Sequence, residues 1–204
     1  MTSEGGRLLP MASPAASQDQ PIFDRIGIVG IRLIGGSVAL AVRQRWPASL
    51  VIGVDDKSVL EVAQRMHAVD VSADDLMMLS DAQLIVLAGS NQDNLSVLKL
   101  LDEYVNEAAL ITDVTSSNGL DVSLAAEIPH RFSHISGKLS VDEASGGILQ
   151  ARADLFSGRD WFLTPGRVNS NEIVDKMSEF VSELGATPTV VDSLSDKKAK
   201  AQLL

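Results

Sequence analysis

Between Arg25 and Ser37 the chain reads R-I-G-I-V-G-I-R-L-I-G-G-S: a short apolar run, a glycine turn, then an apolar stretch that continues with helical spacing. No other segment narrows the fold so far. A strand that turns through one glycine into a helix leaves the helix's free N–H groups and positive dipole end just beyond the strand. The dinucleotide form of this turn is G-x-G-x-x-G. Its first glycine makes the turn, its second lets the backbone approach a pyrophosphate, and its third lets helix pack on strand. Gly30 and Gly35 hold the first and third positions, and Arg32 holds the second. The turn thus predicts a nucleotide-binding unit in which the bulk of Arg32 weakens binding, or in which its long side chain swings out to contact phosphate itself. The plainer alternative is a turn that only packs helix on strand.

The rest of the chain alternates in the same way. Strands are predicted at Arg25–Val29, Leu50–Val54, Leu84–Ala88, Ala109–Asp113, Arg131–Ser136, Trp161–Thr164 and Thr187–Val191. Helices are predicted at Leu33–Arg45, Lys57–His67, Asn94–Val105, Gly119–Glu127 and Ser170–Leu184. Pro188 marks the last strand as an edge. Strands separated by helices require crossovers, so the expected class is α/β: a Rossmann-type doubly wound, mostly parallel sheet with helices on both faces. Ligands of such sheets sit beyond the carboxyl ends of the strands, which groups Gly30–Gly36, Asp55, Gly89–Asn91 and Thr115–Asn118 around one crevice.

At 204 residues, 45% of them hydrophobic, the chain is long enough to bury a core. A net charge of −10 argues against nucleic acid and anionic membrane as partners. With no cysteine there is no disulfide and no thiolate chemistry. No apolar run approaches the roughly 20 residues of a bilayer span, and Met1 to Pro21 lacks the apolar middle of a signal peptide, so a cytoplasmic location is the default expectation. Residues 1–22 are expected to be a disordered extension, 23–192 the dinucleotide-binding domain, and 193–204 the start of a truncated helical segment.

Three groups of residues carry candidate chemistry. Asp55 ends the second strand, where a carboxylate accepts hydrogen bonds from a ribose 2′-OH and repels a 2′-phosphate, favouring NAD over NADP. Its competing reading is a helix N-cap, for which Asp56 is an equal candidate. Ser116 and Ser117 follow a central strand, where a hydroxyl reaches a substrate or nicotinamide, or simply makes a turn. His67, His130 and His134 show no metal spacing and read as structural or surface residues. Leu76-Met77-Met78 reads as core packing, and Lys197, Lys198 and Lys200 as a solvated face.

Four pieces together resemble the prephenate/arogenate dehydrogenases of tyrosine biosynthesis: I-G-I-V-G-x-x-L-I-G-G-S (Ile26–Ser37), V-I-G-V-D (Val51–Asp55), L-I-T-D-V-x-S (Leu110–Ser116) and A-R-A-D-L-F-S-G-R-D-W-F-L-T-P (Ala151–Pro165). The resemblance spans about Asp24 to Ser195. It implies an NAD-dependent oxidoreductase domain that works with a helical domain, which builds a homodimer. The reaction it implies is hydride transfer from prephenate or arogenate with loss of CO2. By resemblance Ser116 is the catalytic serine, and Gly30, Leu33, Ile34, Gly35 and Asp55 form the NAD site. The family's G-H-P segment is absent. Its histidine position falls on Lys138 counting back from Ala151 and on Ser136 counting forward from Phe132, while His134 fits neither register. The chain stops where the helical domain would begin, so little or no turnover is expected of it alone. The competing reading is a catalytically inactive nucleotide- or partner-binding module. A β-hydroxy-acid or imine dehydrogenase is a third, against which the A-R-A-D-L-F stretch argues.

Overall fold

The computed structural model describes residues 20–115, 128–129, 131–140, 146–166 and 169–191. Eight strands form one sheet: β1 (Arg25–Val29), β2 (Leu50–Val54), β3 (Val71–Ala73), β4 (Leu84–Leu87), β5 (Leu110–Thr115), β6 (Ser133–Leu139), β7 (Asp160–Pro165) and β8 (Thr187–Val190). Their order across the sheet is β3-β2-β1-β4-β5-β6-β7-β8. The first six run parallel, β7 runs antiparallel to β6, and β8 runs parallel to β7. The expected α/β class and mostly parallel sheet are therefore present. Pro188 lies on the outermost strand, where a missing N–H costs the ladder least.

The helices are α1 (Leu33–Arg45), α2 (Lys57–Arg65), α3 (Asn91–Tyr104) and α4 (Asn171–Glu183). Side-chain alternation divides the core in two. Ile26, Ile28, Leu84 and Val86 face the layer of α1, α2 and α4, while Ile52, Ile85, Leu87 and Ile111 face α3. Helix α1 is covered nearly all round, which is why its sequence is apolar without a stripe. Trp46, just beyond α1, stacks on Phe180 of α4 with ring centroids 5.5 Å apart, and Phe23 meets the same ring edge-on.

Three local readings change. Of Leu76-Met77-Met78 only Leu76 packs against the core: a 3-10 turn spans Leu76–Leu79, and Met77 and Met78 are 61% and 46% exposed. Asp75 caps that turn through the Met77 N–H, and so short a turn buries Leu79 fully and Leu76 in part. Space for Leu79 comes from Gly27, where a Cβ would fall 2.5 Å from Leu79 Cδ2. Helix α3 begins three residues earlier than its apolar spacing implies, because Ser90 caps it by accepting the Asp93 N–H. Strand β3 was not expected, since three residues are too few to show alternation. Of the extension expected at 1–22, the described part includes Ile22, which packs half-buried against the core. The expected helix at Gly119–Glu127 and the lysines at 197–200 lie outside the described residues. No described helix is long and apolar enough to cross a membrane.

Candidate functional site

Strands β1 and β4 are neighbours, yet β1 leads to one face of the sheet and β4 to the other. The loops after them therefore part at their carboxyl ends and open a crevice. Gly30 makes the turn out of β1 at φ +91°, a conformation natural only to glycine. It touches the loop after β4, since a Cβ there would lie 2.8 Å from both Ala88 C and Gly89 N. That second loop is held by a residue the sequence reading gave no role. Asn94, buried in the first turns of α3, accepts the Gly89 N–H at 3.0 Å and donates to Leu87 O at 3.2 Å. Its signal was a polar side chain at an inward position of an amphipathic helix.

The triplet Gly35-Gly36-Ser37 serves three separate contacts. A Cβ on Gly35 would fall 2.0 Å from Gly30 O, so glycine alone lets α1 start this close to the turn. A Cβ on Gly36 would fall 2.9 Å from Ala151 Cβ. Ser37, fully buried, donates to Leu33 O at 2.6 Å and accepts the Arg152 N–H at 3.1 Å. The A-R-A-D-L-F segment is thus the piece that docks on the first turns of α1. Leu155 and Phe156 continue it into the core, where Phe156 packs on Trp161 at 5.2 Å.

Asp55 stands at the end of β2, beside the turn. Its Oδ2 accepts the Ile31 N–H and its Oδ1 the Asp56 N–H, both at 2.7 Å. Each carboxylate oxygen retains a second acceptor site, so the group is oriented by the backbone while still able to take a hydroxyl donor. Asp56 occupies the N-cap position of α2, although its side chain makes no capping bond. Leu33 and Ile34 bury their side chains in the core and face the crevice only with backbone. The Leu33 N–H is already given to Gly146 O at 3.1 Å. Among the described residues, the amides of Arg32, Ile34 and Gly35 have no acceptor. The turn, the close-packed glycines, the three available amides and the carboxylate together fit a dinucleotide.

Ser116 and Ser117 lie outside the described residues. The strand that leads to them carries a buried cluster. Asp113, with no exposed surface, accepts from Ser136 Oγ at 3.1 Å and lies 3.0 Å from His134 Nε2. The three positions weighed for the family histidine, residues 134, 136 and 138, share one face of β6. His134 pairs in register with Ile111, Ser136 with Asp113, and Lys138 with Thr115, the chain neighbour of Ser116. Lys138 is half-buried and is the one of the three nearest the carboxyl end of β5. The role of Asp113 was not foreseen, for its partners are 21 and 23 residues away in sequence.

A doubly wound sheet with a glycine turn and an acid at its switch point defines a nucleotide-binding α/β domain. A family model described as "Prephenate dehydrogenase, nucleotide-binding domain" matches residues 38–190, and the chain belongs to that family. The match begins at Val38, after the glycine turn. The prephenate dehydrogenase of Bacillus subtilis is 28% identical over 167 residues, covering 80% of this chain and 45% of that protein. The arogenate dehydrogenase of Synechocystis shares the fold with a TM-score of 0.74 at 30% identity, covering 82% of this chain and 59% of that one. A prephenate dehydrogenase from Aquifex aeolicus, solved with hydroxyphenyl propionate and NAD+, superposes with a TM-score of 0.75 at 20% identity, over 82% and 59% of the two chains. The chain spans about half the length of the curated relatives it matches.

Proposed function

We propose that this chain is the NAD-binding domain of a cytoplasmic prephenate or arogenate dehydrogenase. NAD, when bound, supplies the hydride acceptor. The observation that carries the reading is the junction of Gly30, Gly35 and Asp55. Two glycines bring the mouth of α1 against the turn, and a carboxylate oriented by that turn keeps the capacity to accept a ribose hydroxyl. In this reading Gly30, Leu33, Ile34, Gly35 and Asp55 form the cofactor site: Ile34 and Gly35 offer their free amides, Gly30 makes the turn, and Leu33 seats the first turn of α1. Ser116 serves the substrate, a small dicarboxylate or amino-carboxylate ring compound, and Lys138 lies on the adjacent strand. A homodimer built through a helical domain belongs to the same proposal.

Calorimetric titration with NAD tests it. We expect saturable binding at one site per chain, and tighter binding of NAD than of NADP because Asp55 repels a 2′-phosphate. Asp55→Asn is expected to narrow that difference. An absence of NAD binding by the folded chain would leave the inactive partner-binding module as the better reading.

A further inference from the structure

We propose that Arg32 is itself a ligand of the NAD diphosphate, its guanidinium replacing what the second glycine of the fingerprint gives other chains. The inference rests on the reading of this crevice as an NAD site.

Three observations carry it. Two of the amides at the mouth of α1 are already committed, the Ile31 N–H to Asp55 Oδ2 and the Leu33 N–H to Gly146 O. A carbonyl oxygen and a carboxylate therefore lie beside that mouth, on a chain of net charge −10. Amides alone meet a doubly negative bridge at a deficit of positive charge. Arg32 is next in position and free. It is exposed and has no partner among the described residues, whereas Arg25, Arg43, Arg131 and Arg152 each face a carboxylate. A lone cation at the N-terminal end of a helix is repelled by the dipole, and the first turn of α1 contains no acid to offset it. An anion lying between the helix mouth and the guanidinium relieves both. Finally, Arg32 has φ −95°, outside the left-handed region that favours glycine. The second glycine serves phosphate approach alone, and a planar five-donor side chain reaches phosphate from outside the turn.

The test titrates the full chain and its variants Arg32→Gly, Arg32→Gln and Arg32→Lys with NAD, ADP and adenosine, with melting temperature as the fold control. We expect Arg32→Gln and Arg32→Gly to weaken NAD and ADP about tenfold, the worth of one charge-assisted phosphate contact. Arg32→Lys should recover part of the loss. Adenosine binding and melting temperature should be unchanged, and the wild-type advantage should shrink as salt rises. Arg32→Gly binding NAD as well as the wild type, or more tightly, overturns the proposal and makes Arg32 an obstruction. A loss shared equally by adenosine, or a lowered melting temperature, overturns it too. If the wild type binds neither NAD nor ADP, the NAD reading itself fails, and this inference fails with it.

Discussion

Gly35 shows how little room one position can have. Its missing side chain lets α1 approach the turn of β1 until a Cβ would sit 2.0 Å from Gly30 O. The obstacle is backbone, and the backbone is held in turn by the bond from Gly30 N to Val54 O at 2.9 Å. Neither partner yields as the end of a flexible side chain does. We expect Gly35→Ala to lower unfolding free energy in urea by about 3 kcal/mol and to abolish NAD binding at concentrations that saturate the wild type. A stable, NAD-binding Gly35→Ala would show that the turn is softer than this packing implies. Asp113 belongs beside it as a residue whose weight the sequence hides. Its carboxylate joins β5 to two residues of β6, so it fixes how these two strands sit on each other.

Two helices end in the same way with different residues. After α4, Gly185 takes φ +92°, with Gly185 N bonded to Ser182 O at 2.9 Å and Ala186 N to Val181 O at 3.3 Å. After α2, His67 takes φ +55°, with His67 N bonded to Gln64 O at 3.0 Å and Ala68 N to Ala63 O at 2.9 Å. Both are Schellman endings, and the left-handed residue in such an ending is ordinarily glycine. The His67 side chain is exposed, so replacing it removes no core contact. His67→Gly is expected to raise stability by about 1 kcal/mol, the left-handed penalty less the extra chain entropy glycine loses on folding. A higher urea midpoint at unchanged slope is the signature. An unchanged or lower midpoint would mean that the histidine adopts this conformation without strain.

The eight strands act together by bringing the ends of β1, β2, β4 and β5 to one rim, where turn and carboxylate meet. Hydride transfer needs more than a rim. Substrate must be held against nicotinamide, and water must be kept out. The described residues build the sheet side of that enclosure. We therefore expect the purified 204-residue chain to form NADH from prephenate or arogenate no faster than background, even where it binds NAD. Following absorbance of the reduced cofactor checks this, and robust turnover would show that the rim alone closes an active site.

Much of this was readable in the residues. The apolar period told strand from helix at nearly every element, and α1 has the predicted bounds, because local sterics and burial act through near neighbours. The glycines and Asp55 were legible because each meets a demand the turn itself imposes. Element ends set by a cap, as at Ser90, were off by a few residues, since one hydroxyl outweighs periodicity there. What no pattern could reveal were contacts between distant segments: Ser37 with Arg152, Leu33 with Gly146, Asp113 with His134 and Ser136. A chain states its periodicities locally. Which amide at a helix mouth stays available to an anion depends on where a loop more than a hundred residues onward comes to rest, and only the folded packing decides that.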